Sequence, residues 1–477
     1  MVGRIAEIRQ LEKLYSSRNS EFVAVYGRRR VGKTYLIKEV FKDRMTFWHT
    51  GVSPYDRERK NLMQDQLRAF HYNLQRYGLN NDRAPKDWFE AFHMLSELVE
   101  SNVGPGKKVI FIDEMPWMDT ARARFIPALE NFYNDWAAKR DDILLIVCGS
   151  ATSWIEDKLI HSKGGLYRRL TDTIHLEPFH LSECWEFYQA KGVVMSEYDV
   201  AQSYMILGGI PYYMNFVDAE YSLVQNIDRM FFNGNAKLED EFDLLFGSLF
   251  SEPEQYKAIV RLLAKRHGGF TRSEIAEKVG LSDGGGLTEQ LKSLEASNFI
   301  MRYVPFGERK RTVRYRLCDN FCRFWLNFKE GERNPDQDFW LHNCNSPSLN
   351  AWRGFAFEEL CMNHVVQIKN ALGIGGVTTS VSSYVVKGDD SKEGSQVDMI
   401  IDRADNVVNL CEMKFYNEEF RISKEYNAKL VHRINMISES LPKRKVVRMT
   451  LVTTEGLARN EYSSTFQNIV TLPDLMR

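Results

Sequence analysis

Eight residues near the N-terminus, Gly27-Arg28-Arg29-Arg30-Val31-Gly32-Lys33-Thr34, have the types and spacing of a phosphate-binding loop, G-x-x-x-x-G-K-[ST]. Glycines let backbone N–H groups close around phosphate oxygens, Lys33 brings a cation to the β- and γ-phosphates, and the Thr34 hydroxyl suits Mg2+. A matching acidic pair, Asp113-Glu114, closes the apolar run KVIFID. In that arrangement Asp113 stands on the metal side and Glu114 polarises the attacking water. Ser150, with Thr152 and Ser153 behind it, ends another apolar run and reads equally as a γ-phosphate contact or a helix cap. Arg168 and Arg169 offer charge for a transition state, or are solvated surface arginines.

A third group lies far downstream. Asp398 belongs to an apolar strand, Arg403–Asn406 make a turn, and the returning run VVNLCEMKF carries Glu412 and Lys414 on one face. A hairpin centred on Asp405 sets Asp398 directly opposite Glu412, with Cβ atoms about 5 Å apart. Like charges so placed are destabilising unless a proton or cation lies between them, which points to a divalent metal. Two carboxylates with a lysine alongside suit metal-assisted phosphodiester hydrolysis, Lys414 orienting water and offsetting developing charge. A surface hairpin with its charges in water has the same pattern.

The elements around these residues place them. The phosphate loop follows FVAVY and precedes TYLIKEVF, a strand and a helix. With KVIFID, ILLIVCGS and TIHLEP, residues 1–178 alternate near-continuous apolar runs with amphipathic stretches, as in a parallel α/β sheet covered on both faces. Residues 179–250 are rich in aromatics and Leu at helical spacing, interrupted by Gly208, Gly209 and Pro211, and predict a helical lid. Residues 251–330 run helix, helix, Gly284-Gly285-Gly286, helix and two strand-like runs, the order of a winged helix-turn-helix. There Lys292 and Gln290 are placed to approach bases, and Arg309, Lys310, Arg311 and Arg314 form a basic wing; resemblance to proteins with the same phosphate loop also permits a winged helix that only packs on the α/β core. Residues 331–350 are polar, carry two prolines and predict a linker. The block 351–477 predicts a helix, three strands, a helix and a strand.

VGRIAEI (2–8), the loop GRRRVGKT, IDE, and Gly208-Gly209-Ile210-Pro211-Tyr212-Tyr213 together resemble the archaeal-type P-loop ATPases of the STAND branch of AAA-related proteins. The resemblance implies that Gly3 and Arg4 lie beside the adenine and that Pro211 packs against the nucleotide from the lid. One departure is Ile5, where such families have an acidic residue after Gly-Arg; Glu7 stands two positions on. The Asp398, Glu412, Lys414 arrangement resembles the PD-(D/E)xK nuclease fold, with Val397 in place of the proline that names the motif. GFAFEELC (354–361) resembles that fold's first helix, which implies that Glu358, rather than Glu359, joins Asp398 and Glu412 in a metal shell.

Composition bounds these readings. The chain has 477 residues, room for about three domains. Its formal net charge of −1 gives no whole-chain case for polyanion binding, but residues 253–330 carry 15 Lys/Arg against 9 Asp/Glu, a local surplus of six. Seven dispersed cysteines without a CxxC pair argue against a disulfide framework or zinc knuckle, and no run has signal-peptide or membrane-spanning character. His161, His175 and His180 lack ligand periodicity and read as structural. The expectation is a cytoplasmic α/β multidomain protein: a P-loop parallel sheet with helical lid, a winged helix-turn-helix, and a C-terminal restriction-endonuclease-like domain. Its expected cofactors are ATP and Mg2+ and its expected partner is DNA, with self-association open and no membrane contact. A nucleotide switch or DNA-binding regulator without nuclease action is the competing reading.

Overall fold

The computed structural model describes residues 2–53, 61–308, 312–331, 336–386 and 395–477. It divides into two compact units: residues 1–178 with 244–253 and 292–298, and the remainder of the chain from 179 onward.

The first unit is built on five strands, β1 (Glu21–Tyr26), β2 (Met45–Thr50), β3 (Lys108–Asp113), β4 (Ile143–Gly149) and β5 (Asp172–His175), in the order β2-β3-β4-β1-β5. All pairings are parallel. Every residue of β3 and β4 is buried, which is why these strands read as unbroken apolar runs. β2, MTFWHT, was not expected from its sequence; it is an edge strand with Thr46, Phe47 and His49 buried, and mixes Met, Thr, Trp and His. Phe47 of β2 nevertheless enters the core, edge-on to Phe70 at 5.2 Å. The neighbours of β1 are β4 and β5, neither adjacent in sequence, so the C-terminal end of β1 lies at a topological switch point, where α/β sheets bind ligands.

The second unit begins with helices, Leu181–Ala190, Glu197–Leu207 and Leu223–Phe231 among them. In the 251–330 stretch, helices Pro253–Ala264, Arg272–Val279 and Gly285–Ala296 accompany a small antiparallel sheet of β6 (Phe270–Thr271), β7 (Ile300–Tyr303) and β8 (Arg314–Leu317), ordered β6-β8-β7. Arg272–Val279 is locally determined: Thr271 and Glu274 form a capping box, and Gly280 closes it in the left-handed conformation. Arg309, Lys310 and Arg311 lie outside the described residues.

The stretch read as a linker is folded where described. Phe339–Asn343 is a short helix with Trp340 buried, and Asp228 accepts from the Trp340 and Leu341 amides at 2.7 and 3.0 Å. A helix already begins at Pro347, capped by Ser346, and runs to Asn363. Polarity suggested a spacer, but its two tryptophan-bearing helices pack on Phe324 and Phe328.

The last sheet comprises β9 (Thr379–Val386), β10 (Ser395–Arg403), β11 (Val407–Lys414), β12 (Val446–Thr453) and β13 (Asn468–Thr471), ordered β13-β12-β11-β10-β9. β9, β10 and β11 are antiparallel, whereas β12 and β13 join in parallel. The helix Lys424–Ser440 connects β11 to β12 and packs Leu430 and Ile437 onto a core with Ile400, Val408, Leu410 and Leu451. β13 and the helix Leu472–Leu475 were not anticipated.

Candidate functional site

The phosphate loop leaves β1 in a backbone path that only its glycines permit. Gly27 has φ 137°, and a Cβ there would stand 2.3 Å from the Leu176 carbonyl oxygen. Gly32, φ 95°, precedes the helix Lys33–Phe41, directing that helix's N-terminus into the loop. Lys33 is buried, its ammonium donating to the carbonyls of Gly27 and Arg28 at 2.8 and 2.9 Å and to Ser150 Oγ at 3.0 Å. Arg28 and Val31 are buried, Arg30 takes a left-handed φ of 74°, and the Arg29 guanidinium lies 5.9 Å from the Trp117 ring centre.

The acidic pair meets this loop. Thr34 donates its hydroxyl to Asp113 Oδ2 at 2.8 Å. Burial raises the Asp113 pKa, and neighbouring Glu114 raises it further against the opposing pull of Thr34 and Lys33. A hydroxyl and a buried carboxylate side by side are hard oxygen donors that suit Mg2+, whose charge would relieve that burial. Glu114 sits at φ 46° and accepts from the Ser150 amide at 3.1 Å and the Ser150 hydroxyl at 2.6 Å. Ser150 therefore bridges Lys33 and Glu114.

Gly3 and Arg4, expected on the adenine side, stand directly before the helix Ile5–Tyr15. Both have positive φ, and the buried Arg4 guanidinium donates to the carbonyls of Val31 at 3.3 Å and Glu177 at 2.6 Å while pairing with Glu7 at 3.5 Å. Arg4 thus braces the loop's backbone, and Glu7 supplies the carboxylate that Ile5 lacks. Arg168 and Arg169 are exposed, Arg168 lying 5.1 Å from the Tyr167 ring centre. Pro211 belongs to the second unit, as the first residue of the helix Pro211–Met214.

In the second unit, β10 and β11 pair in the expected register, Met399 opposite Cys411 and Asp402 opposite Val408. Just beyond the ladder, Asp398 Oδ2 accepts from the Met413 amide at 3.1 Å. Burial, followed by repulsion from Glu412, raises the Asp398 pKa to about 7. Glu358 projects from the helix Pro347–Asn363 toward the same group, and burial, then Asp398, push its pKa up to about 9. Burial works against the Lys414 charge, but Glu412, Tyr426 and Asp398 outweigh it and raise its pKa. Glu359 turns elsewhere, 3.6 Å from Arg323 and 3.8 Å from Arg316.

Glu412 departs from the expected metal-ligand role. Its carboxylate pairs with Lys414 at 2.8 Å and Arg433 at 2.6 Å and accepts from the Tyr426 hydroxyl. Three donors occupy both oxygens, and among the described residues no group of three or more His, Cys, Asp or Glu is arranged to hold a metal. Glu358 and Asp398 suit a hard cation as oxygen donors; Glu412 in this arrangement does not. Sequence reasoning missed Tyr426 and Arg433. They lie two helical turns apart on the helix after β11, a spacing that presents both to one side.

Of the two residues expected near bases, Gln290 is buried and bonded to Gln255, and Lys292 is exposed and pairs with Asp157. One residue on, Ser293 meets Ser153 at 3.1 Å.

A five-stranded parallel sheet in this order, with a phosphate loop after its switch-point strand and an acidic strand end beside it, defines the first unit as a P-loop ATPase fold. Residues 1–217 match a family described as an ATPase domain predominantly from Archaea. An uncharacterized protein of Methanocaldococcus jannaschii is 26% identical over 371 residues, 77% of each chain. Similar solved structures include a Walker-type ATPase of Pyrococcus abyssi, 18% identical with TM-score 0.46, over 69% of this chain and 96% of that one. The ORC2 protein of Aeropyrum pernix, solved as ADPNP–ADP complexes, is 15% identical with TM-score 0.41, over 68% and 92%. Among the described residues no helix is long and apolar enough to cross a membrane, and all seven cysteines are free.

Proposed function

We propose that the first unit binds and hydrolyses ATP, and that nucleotide state governs the remainder of the chain: a lid at 179–250, a winged helix at 251–330 and a PD-(D/E)xK nuclease-like domain at 351–477 acting on DNA. The observation carrying this reading is the junction of Lys33, Ser150 and Glu114 beside Thr34 and Asp113. Water attacks the γ-phosphorus, the bond to the ADP oxygen breaks, and Glu114 takes the water's proton. Lys33, released from Ser150, neutralises the phosphate oxygens. Mg2+ held by Thr34 and Asp113 would supply further positive charge there. At the second group, Glu358 and Asp398 are the candidate Mg2+ ligands and Lys414 the residue that orients water.

A second reading, a nucleotide switch or DNA-binding regulator whose C-terminal fold only binds, is favoured by the occupied carboxylate of Glu412. The primary test is calorimetric titration with ATP. Lys33→Ala should abolish measurable binding, and an affinity equal to the unsubstituted protein's would overturn the phosphate-loop assignment.

A further inference from the structure

Hydrolysis of ATP spreads negative charge over the oxygens of the γ-phosphoryl group, where a guanidinium lowers the barrier. Arg168 and Arg169, the sequence candidates for that charge, are exposed. Three arginines lie inside the phosphate loop itself. Arg28 is buried and Arg30 takes a left-handed turn, whereas Arg29 is half-buried and lies over Trp117, 5.9 Å from the ring centre. Arg29 Nη1 is buried and has no hydrogen-bond partner among the described residues. A shielded guanidinium N–H without an acceptor is costly, and an anion beside it removes the cost. Trp117 sets where this charge stands. It belongs to the short helix Met115–Met118, which starts directly after Glu114. The Trp117 amide donates to the Glu114 carbonyl at 3.0 Å, and the Trp117 carbonyl accepts from the buried Gln66 side chain at 2.9 Å. The ring is thus tied to the turn that carries Glu114. Lys33 and Arg29 are both linked to that turn, one through Ser150 and the other through Trp117.

We propose that Arg29 is a catalytic residue of ATP hydrolysis, its guanidinium donating to the γ-phosphoryl oxygens in the transition state. This deepens the ATPase reading and rests on it. Water attacks the γ-phosphorus, the bond to the ADP oxygen breaks, and ADP leaves with the bonding electron pair while Glu114 takes the water's proton. Arg29 stays protonated throughout and contributes N–H donors only. The loop's backbone amides and Lys33 hold the phosphates of the ground state, so loss of Arg29 falls on the rate more than on the affinity. Trp117 is a positioning residue, its ring face holding the guanidinium beside the turn of Glu114.

The test is single-turnover hydrolysis of ATP with Mg2+ by the full chain, with ATP affinity measured by calorimetry alongside. Arg29→Gln should slow the chemical step at least about a hundredfold and weaken ATP binding by no more than about threefold. The same variant should lose affinity for ADP with aluminium fluoride, a mimic of the transition state, while its affinity for ADP alone is kept. Arg29→Lys, which keeps the charge without the planar fork, should recover only part of the rate. Trp117→Ala should slow turnover about tenfold, and Trp117→Phe, which keeps a ring face under the guanidinium, should restore most of it. Circular dichroism should show the same melting midpoint for Arg29→Gln and Arg29→Lys, so that their difference in rate reads the side chain and not the fold. An unchanged rate in Arg29→Gln, or equal losses of rate and ATP affinity, would overturn the proposal, the second making Arg29 a ground-state phosphate contact. Failure of the ATPase reading would show separately, as an unsubstituted chain that binds ATP and never turns it over, and this role would fall with it.

Discussion

The phosphate loop and the carboxylate–lysine group both place a lysine beside acids at strand ends, yet they treat charge in opposite ways. Around Lys33 the partners are two backbone carbonyls and one hydroxyl, all uncharged. Lys414 instead meets Glu412 directly, while Glu412 raises the Asp398 pKa and Asp398 raises that of Glu358. The first site is a cradle awaiting an anion that arrives with its own negative charge. The second holds more carboxylates than cations and favours the arrival of a proton or metal.

The sharpest way to break this contrast is to neutralise one site and read the other. Glu114→Gln should keep ATP binding and slow hydrolysis by about 10²- to 10⁴-fold, the usual worth of a positioned base. Normal turnover in single-cycle kinetics would remove Glu114 from that role. Asp398→Ala should lower Mg2+-dependent DNA cleavage by about a hundredfold or more while ATPase activity persists. If the unsubstituted protein cleaves nothing with or without ATP, the switch reading replaces the nuclease.

The smallest effect concerns stability. Asp398 and Glu358 have folded pKa values of about 7 and about 9, above the ordinary 3.8 and 4.5. The native state then binds protons that the unfolded chain has already released, so their contribution to stability falls as pH rises from about 4 through these values. Glu358→Gln should therefore raise Tm at pH 9 by a few degrees, about 2–4 °C for each kcal/mol, and change it little near pH 4. A Tm gain at both pH values would assign the effect to packing instead of titration.

How far each site was legible follows from how its partners are distributed. The phosphate loop is eight contiguous residues whose ligand contacts come from their own backbone, so spacing alone reveals it. Asp398 and Glu412 were readable because the tight turn at Arg403–Asn406, with Asn406 at φ 67°, sets the register for the whole hairpin. Arg433 and Tyr426 were not, since only the packing of the helix after β11 brings them back to Glu412. Charge was misread for a related reason. A count along residues 253–330 registers every lysine and arginine, but not the acids, such as Asp157 and Asp243, that the fold returns to pair with them. β2 escaped because Thr46, His49 and Thr50 interrupt its apolar residues.

The buried His364 ring joins distant parts of the second unit. Its Nε2 accepts from the Leu181 amide at 3.0 Å and its Nδ1 donates to the Leu360 carbonyl at 2.8 Å, while burial lowers its pKa to about 3 and keeps it neutral. Cutting the chain near residue 350 would strip the Leu181 amide of its acceptor inside an apolar interior. A buried hydrogen bond thus ties the helix at Leu181 to the chain beyond residue 350, and the Leu181 amide should exchange with solvent only when that bond opens.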